Sequence, residues 1–226
     1  MKKPIVVCVD GLDGSGKTTL LRNLAAIEHP DFSIVRLRDP GTTAMGERIR
    51  NLLLDDHLPR RRATETLLFT AARSELIGQL VPQEKQVVYV LDRFSPSTFV
   101  YQLSDLFGFD KLDTDKERNA ATRAFHFLNT IKKITGEPEI DLWVYTKLSS
   151  FERQKERMSK RTDINHLDSV NPETFASRSR LYDHFFKLVS TVIYGGLVLD
   201  VEDTLNQQEA TDLVFKQIVA LVEELE

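Results

Sequence analysis

Hydrophobic and polar positions alternate between two rhythms along the chain. Short β-branched runs read as strands: IVVCVD (Ile5–Asp10), SIVRLRD (Ser33–Asp39), VVYVLD (Val87–Asp92), IDLWVYTKL (Ile140–Leu148) and GLVLDV (Gly196–Val201). The first and third are apolar almost without a break, as in strands covered on both faces of a parallel sheet. Between the strands, helical patterns fall over about 17–28, 44–56, 63–81, 96–106, 114–135, 150–161, 172–190 and 204–225. The last carries a stripe of Leu205, Ala210, Leu213, Val214, Ile218, Leu221 and Val222. Strand and helix in this alternation predict crossover connections and a doubly wound, five-stranded parallel α/β fold. No repeat, low-complexity tract or clear linker interrupts the pattern, so residues 1–226 read as one domain. The polar stretch Ser104–Arg118 reads as an irregular insertion.

Composition narrows the class. The 226 residues are 41% hydrophobic, enough for a sizeable core, and the formal net charge of -4 gives no basic field for nucleic acid. The single cysteine, Cys8, lies inside an apolar run, so it reads as a small core residue and no disulfide can form within the chain. No apolar run reaches the roughly 20 residues of a membrane span, and the N-terminal run is too short for a signal peptide. The expectation is a cytoplasmic protein with no membrane partner. The five histidines, at 29, 57, 126, 166 and 184, show no metal-ligand spacing.

The chemistry begins at VDGLDGSGKTT, Val9–Thr19. Gly11-Leu12-Asp13-Gly14-Ser15-Gly16-Lys17-Thr18 matches G-x-x-x-x-G-K-[ST] at every fixed position, with a strand before it and a helical pattern after it. Glycines let successive N–H groups turn inward, and the helix that follows adds its positive end. Lys17 would reach the β- and γ-phosphates of a nucleotide, and Thr18 would offer a hydroxyl to Mg²⁺, with Thr19 completing the loop. Asp92 ends an apolar strand, where a metal-facing carboxylate sits in such folds, and Arg93 next to it suits a second phosphate. On these two residues alone, a surface ion pair at a strand end is the other reading.

Three further stretches could reach an acceptor. In TETLLFTAARSELI, Phe69 and Arg73 are spaced i,i+4, either a ring and a guanidinium for a flat base or a core Phe beside a solvent Arg. In FSPSTFVYQ, Ser95 and Pro96 open a helix on which Ser97 and Tyr101 share one face, and Thr98 and Gln102 the adjoining one. Those groups suit the polar edge of a base or, equally, capping and packing. In SSFERQKERMSKRTD, Arg153, Arg157, Lys160 and Arg161 form one stripe, either a solvated face or a lid over a transferring phosphoryl.

Taken together, these residues resemble the thymidylate kinases, within the P-loop nucleoside monophosphate kinases. The matching pieces are GLDGSGKTT, RDPGTTAMGERIRNLLLD, LLFTAAR, DRFSPSTFVYQ, DLWVYTKL and the basic stretch ending at Arg161, in the family's order from Ile5 to about Tyr182. The resemblance implies a P-loop NTPase fold with a mobile lid at 150–168. It implies transfer of the γ-phosphoryl group of ATP to dTMP with Mg²⁺, held by Thr18 and Asp92, and a homodimer. By the same resemblance Phe69 stacks on thymine and Arg73 bonds its edge. Arg38 and Arg93 hold the acceptor phosphate, Ser97, Thr98 and Gln102 complete the base pocket, and Tyr101 packs on the sugar. Arg157 and Arg161 are the lid arginines, since Gly14 and Ser15 leave no arginine inside the loop. Asp13 reaches the deoxyribose 3′-hydroxyl. An ionised carboxylate only accepts hydrogen bonds and a hydroxyl can donate, so one loop would hold both substrates.

The sequence departs from the family at Asp39, where Glu is usual, at Thr42, where a second Gly is usual, and after Arg161, where DINHLDS lacks an arginine. dUMP or another deoxynucleotide is therefore an alternative acceptor. A deoxynucleoside kinase with Asp10 or Asp92 as base is a rival reading. So is a GTP-binding switch, although Thr146-Lys147-Leu148-Ser149 lacks the aspartate of a guanine-reading motif.

Overall fold

The computed structural model describes residues 1–55, 57–160, 171–190 and 197–225. Strands β1 (Ile5–Gly11), β2 (Phe32–Arg38), β3 (Gln86–Asp92), β4 (Leu142–Thr146) and β5 (Leu197–Val201) form one all-parallel sheet in the order β2-β3-β1-β4-β5. Each lies within about two residues of the run that predicted it. Among the described residues the helices are α1 (Lys17–Ala25), α2 (Ala44–Leu54), α3 (Arg62–Ile77), α4 (Ser95–Ser97), α5 (Ser104–Phe107), α6 (Asp115–Thr135), α7 (Phe151–Ser159), α8 (Pro172–Leu188) and α9 (Gln207–Glu223).

Both faces of the sheet are covered, which explains the unbroken apolar runs. Side chains alternate across a strand. Val6 and Cys8 of β1 join Tyr89, Leu91, Trp143 and Tyr145 in a core closed by α6 and α8, where Phe125, Leu128, Tyr182 and Phe185 are buried. Ile5, Val7 and Val9 point the other way, with Val88, Val90 and Val144, onto Leu20, Leu21 and Leu24 of α1 and Val214, Ile218 and Val222 of α9. Full burial of each such side chain contributes about 1.5–3 kcal/mol. Cys8 is inside this core, and burial, with Asp10 nearby, pushes its thiol well up.

Two segments differ from expectation. The run expected as one regular helix over 96–106 is a single turn, α4, then a π-helical stretch Thr98–Leu103, then α5. The polar stretch 104–118 is helical at both ends rather than irregular throughout. Gly108 ends α5 in the left-handed conformation (φ 74°), and Thr114 starts α6 with a capping box to Glu117. Hydrogen bonds from the Lys111 and Thr114 amides hold the Glu117 carboxyl down.

Candidate functional site

Parallel pairing brings the C-terminal ends of β1, β2 and β3 level, with Val9 opposite Asp92 and Arg38 opposite Asp92. Ligands of open α/β sheets bind beyond these ends. A cavity of about 880 Å³ opens there, running from the segment after β5, past the phosphate loop, to α2 and α3.

The loop itself is built on close approaches. Gly11 has φ 150°, and a Cβ there would stand 2.2 Å from the Thr146 carbonyl oxygen on β4. Gly16 caps α1 in the left-handed conformation (φ 102°). Thr146 Oγ1 lies 2.6 Å from Ser15 Oγ, tying the loop to β4. The Lys17 ammonium donates to the Gly11 and Leu12 carbonyls at 2.8 and 2.7 Å. Burial and the nearby Arg93 lower its pKa to about 8, against the opposing pull of Asp13. Thr18 is exposed and lines the cavity, as Gly14, Ser15, Gly16 and Thr19 do.

Asp13 turns away from the cradle. Its carboxylate is paired with the Arg93 guanidinium and accepts from the Tyr101 hydroxyl at 3.1 Å. Burial pushes this carboxyl up, but Arg93, Lys17 and the tyrosine bond together hold it below the ordinary value. Arg93 reaches Asp13 because its own backbone is left-handed (φ 68°), an uncommon state for a residue with a side chain. Its other arm donates to Ser97 Oγ at 2.8 Å. Two guanidiniums approach the Tyr101 ring, Arg93 at 5.6 Å and Arg178 at 4.6 Å from its centre.

Asp10, at the end of β1, does not line the cavity. It is fully buried and accepts from the amides of Gly11, Phe94 and Ser97 and from the hydroxyls of Ser97 and Tyr182, all within 3.1 Å. A carboxylate so engaged has no reach to a substrate hydroxyl. Asp92 does line the cavity, and its Oδ2 takes the Arg36 guanidinium at 2.5 Å.

On the far side, Arg38, Phe69, Ser97, Tyr101 and Gln102 all line the same cavity. The π-helical turn, with its i→i+5 spacing, is what re-aims Tyr101 and Gln102 together. Arg73 and Thr98 do not line it. Arg73 is 1% exposed; its Nε donates to Asp39 at 2.8 Å, its Nη2 to Thr98 at 2.6 Å, and it lies 4.6 Å from the Phe94 ring centre. Glu137 stands 3.8 Å from its Nη1. Burial pushes the Asp39 and Glu137 carboxyls up, and Arg73 offsets this only in part.

Helix α7 rests on the loop. Gln154 Nε2 donates to the Asp13 carbonyl at 2.8 Å and Arg157 Nη1 to the Gly14 carbonyl at 3.2 Å. A Cβ on Gly14 would meet Met158 at 3.4 Å. Arg153 pairs with Asp203 at 3.4 Å, and Lys160 lines the cavity. Arg161, and the 161–168 part of the expected lid, lie outside the described residues.

Several cavity residues were not singled out from the sequence. Arg36 and Arg50 line it beside Arg38, as does a wall formed by Val201, Glu202, Asp203, Leu205, Asn206, Gln207 and Ala210. Arg36 had a usable signal, since it is two residues from Arg38 and shares its face of the strand. The wall had one too, because it leaves the C-terminal end of a parallel strand. Gln154 had none.

Known proteins resemble this chain over most of its length. The family model described as thymidylate kinase matches residues 9–194. The thymidylate kinase of Thermosipho africanus is 32% identical over 194 residues, covering 82% of this chain and 89% of the relative. That of Mycoplasma pneumoniae is 33% identical over 192 residues, 81% of this chain and 82% of its own. A solved thymidylate kinase structure from Candida albicans superposes with a TM-score of 0.63 over 99% of this chain and 94% of that one, at 20% identity, a likeness of fold.

Proposed function

The chain belongs to the thymidylate kinase family, and from that membership we infer that it transfers the γ-phosphoryl group of ATP to dTMP, giving dTDP and ADP in nucleotide biosynthesis. One observation carries the site assignment: a single cavity joins the phosphate loop to Phe69, Gln102 and a cluster of arginines. ATP would lie from the 201–210 wall to the loop, and dTMP from Phe69 to Arg93, with their phosphates meeting near Lys17.

The acceptor is a phosphate whose second pKa is about 6, so it arrives largely ionised and needs no strong base. The burial of Asp10 under five donors supports that reading over a deoxynucleoside kinase with Asp10 as base. Lys17 would leave the loop carbonyls for the β- and γ-phosphates. Arg93 would leave Asp13 for the acceptor phosphate, and Asp13 would then accept from the 3′-hydroxyl. Phe69 would stack on the base, Tyr101 would pack on the sugar, and Arg38, Arg36 and Arg50 would supply further positive charge at the acceptor end. Arg157, against the loop at Gly14, would spread the charge of the transferring group with Arg161. The oxygen donors Thr18 and Asp92 suit Mg²⁺, which takes few protein ligands beside phosphates and water. When bound, that ion neutralises charge on the β- and γ-phosphates.

We further propose that residues 1–226 act as one kinase domain, with α7 and the segment after it as a lid, and that the enzyme is a cytoplasmic homodimer. Among the described residues no helix is long and apolar enough to cross a membrane. An ADP-release assay with ATP and Mg²⁺, across nucleoside and deoxynucleoside monophosphates and thymidine, tests the activity. dTMP should be the best acceptor; turnover of thymidine without turnover of dTMP would overturn the assignment.

A further inference from the structure

Gln102 is 4% exposed and lines the cavity, and its amide has a fixed direction. Its Nε2 donates to Glu65 Oε1 at 3.1 Å. Glu65, itself 4% exposed, has Arg62 Nη1 at 3.1 Å and Arg60 Nε at 4.0 Å from its other oxygen. A carboxylate between two guanidiniums accepts hydrogen bonds and donates none, so it holds the NH₂ end of the amide and not the carbonyl end. The carbonyl oxygen, at the end of the amide away from Glu65, is the acceptor that this side chain can offer to the cavity it lines. Glu65 and Phe69 are one helical turn apart on α3, so the anchor of the amide and the stacking ring share a face.

We propose that Glu65 is a specificity-determining positioning residue: it pins the Gln102 amide so that a carbonyl acceptor meets the ring edge of the base. The proposal rests on dTMP occupying the Phe69 end of the cavity. Thymine and uracil carry an N–H donor at N3, which that carbonyl accepts. Cytosine carries a bare acceptor at N3, and two acceptors face to face leave both unpaired. Glu65 therefore selects against cytosine and is indifferent to the 5-methyl group, which separates dTMP from dUMP by other contacts.

Glu65→Gln removes this direction, because an amide can present either end to Gln102. Steady-state kinetics of the wild type and Glu65→Gln with dTMP, dUMP and dCMP test the idea. The wild type should prefer dTMP to dCMP by about 10⁴-fold in kcat/KM. The variant should raise KM for dTMP about tenfold with kcat within about twofold, and shrink the dTMP-to-dCMP preference at least about tenfold. The dTMP-to-dUMP ratio should stay as in the wild type, which general loosening of the site would not predict. An unchanged dTMP-to-dCMP ratio in a variant with a normal melt overturns the proposal, as does an equal shift in the dUMP ratio. If the variant does not fold, wild-type binding of N3-methyl dTMP decides. Loss of about 10²-fold or more against dTMP supports the carbonyl acceptor, and equal affinity overturns it. A wild type inactive on dTMP would overturn the functional assignment and this proposal together, whereas an active wild type with unchanged discrimination in the variant overturns this proposal alone.

Discussion

Lys17 is a buried cation and Arg93 a partly buried one at the junction of the cavity, and each has partners that it would give up to meet a phosphate. Lys17→Ala and Arg93→Ala should each lower kcat about 10²–10³-fold while the far-ultraviolet circular dichroism stays that of the folded protein; near-normal turnover in either refutes its role. The lysine also sets a pH dependence. Its folded pKa of about 8 lies below the ordinary 10.5, so between these values the unfolded chain holds the extra proton. The group's contribution to stability therefore rises with pH across that window. Phosphate favours the charged lysine, so kcat/KM for ATP should fall above about pH 8, and calorimetry in buffers of different ionisation heat should show proton uptake on binding there. Thr42 is a residue-scale departure from the family with a visible cost. It is left-handed (φ 68°), as its usual glycine counterpart could be without strain, and its Oγ1 accepts from the Arg38 amide at 2.7 Å. Strain of about 1–2 kcal/mol and a bond of about 1 kcal/mol nearly cancel, so urea unfolding should find Thr42→Gly within about 1 kcal/mol of wild type. Thr42→Val keeps the strain and loses the bond, and should be about 1 kcal/mol less stable.

At the level of elements, most of the fold was legible because the sheet is covered on both sides. β1 and β3 had to be apolar at nearly every position between their ends, and the helices between them had only one stripe to bury. The π-helical turn was not legible. Asp10, 84 residues before Phe94 and 87 before Ser97, grips the chain just ahead of it. Periodicity within a segment does not register such a partner. The same limit applies to Arg73. Its spacing from Phe69 left open a base-facing pair or a core ring beside a solvent-facing arginine; the structure shows a buried guanidinium held by Asp39, 34 residues away. Asp10→Asn should lose part of this grip, since an amide offers one acceptor where the carboxylate offers two. A destabilisation of about 2–3 kcal/mol in urea is expected, and a neutral effect would show that the anchor is dispensable.

For the molecule as a whole, the order β2-β3-β1-β4-β5 sets the phosphate loop between the two ends of one cavity. That order follows from no local pattern. It also gives meaning to the Asp13–Arg93 pair, which spans the midline where the two nucleotides would meet. With the phosphates of both guests meeting beside this guanidinium, whichever nucleotide enters first would part the pair, and the latecomer would find it already open. Synergy in binding is the consequence, and it must be mutual. A non-hydrolysable ATP analogue should bind several-fold more tightly once dTMP is present, and dTMP more tightly by the same factor with the analogue in place. Repulsion between the two sets of phosphates pulls in the opposite sense, so equal or weaker binding would mean that parting the ion pair costs no more than that repulsion.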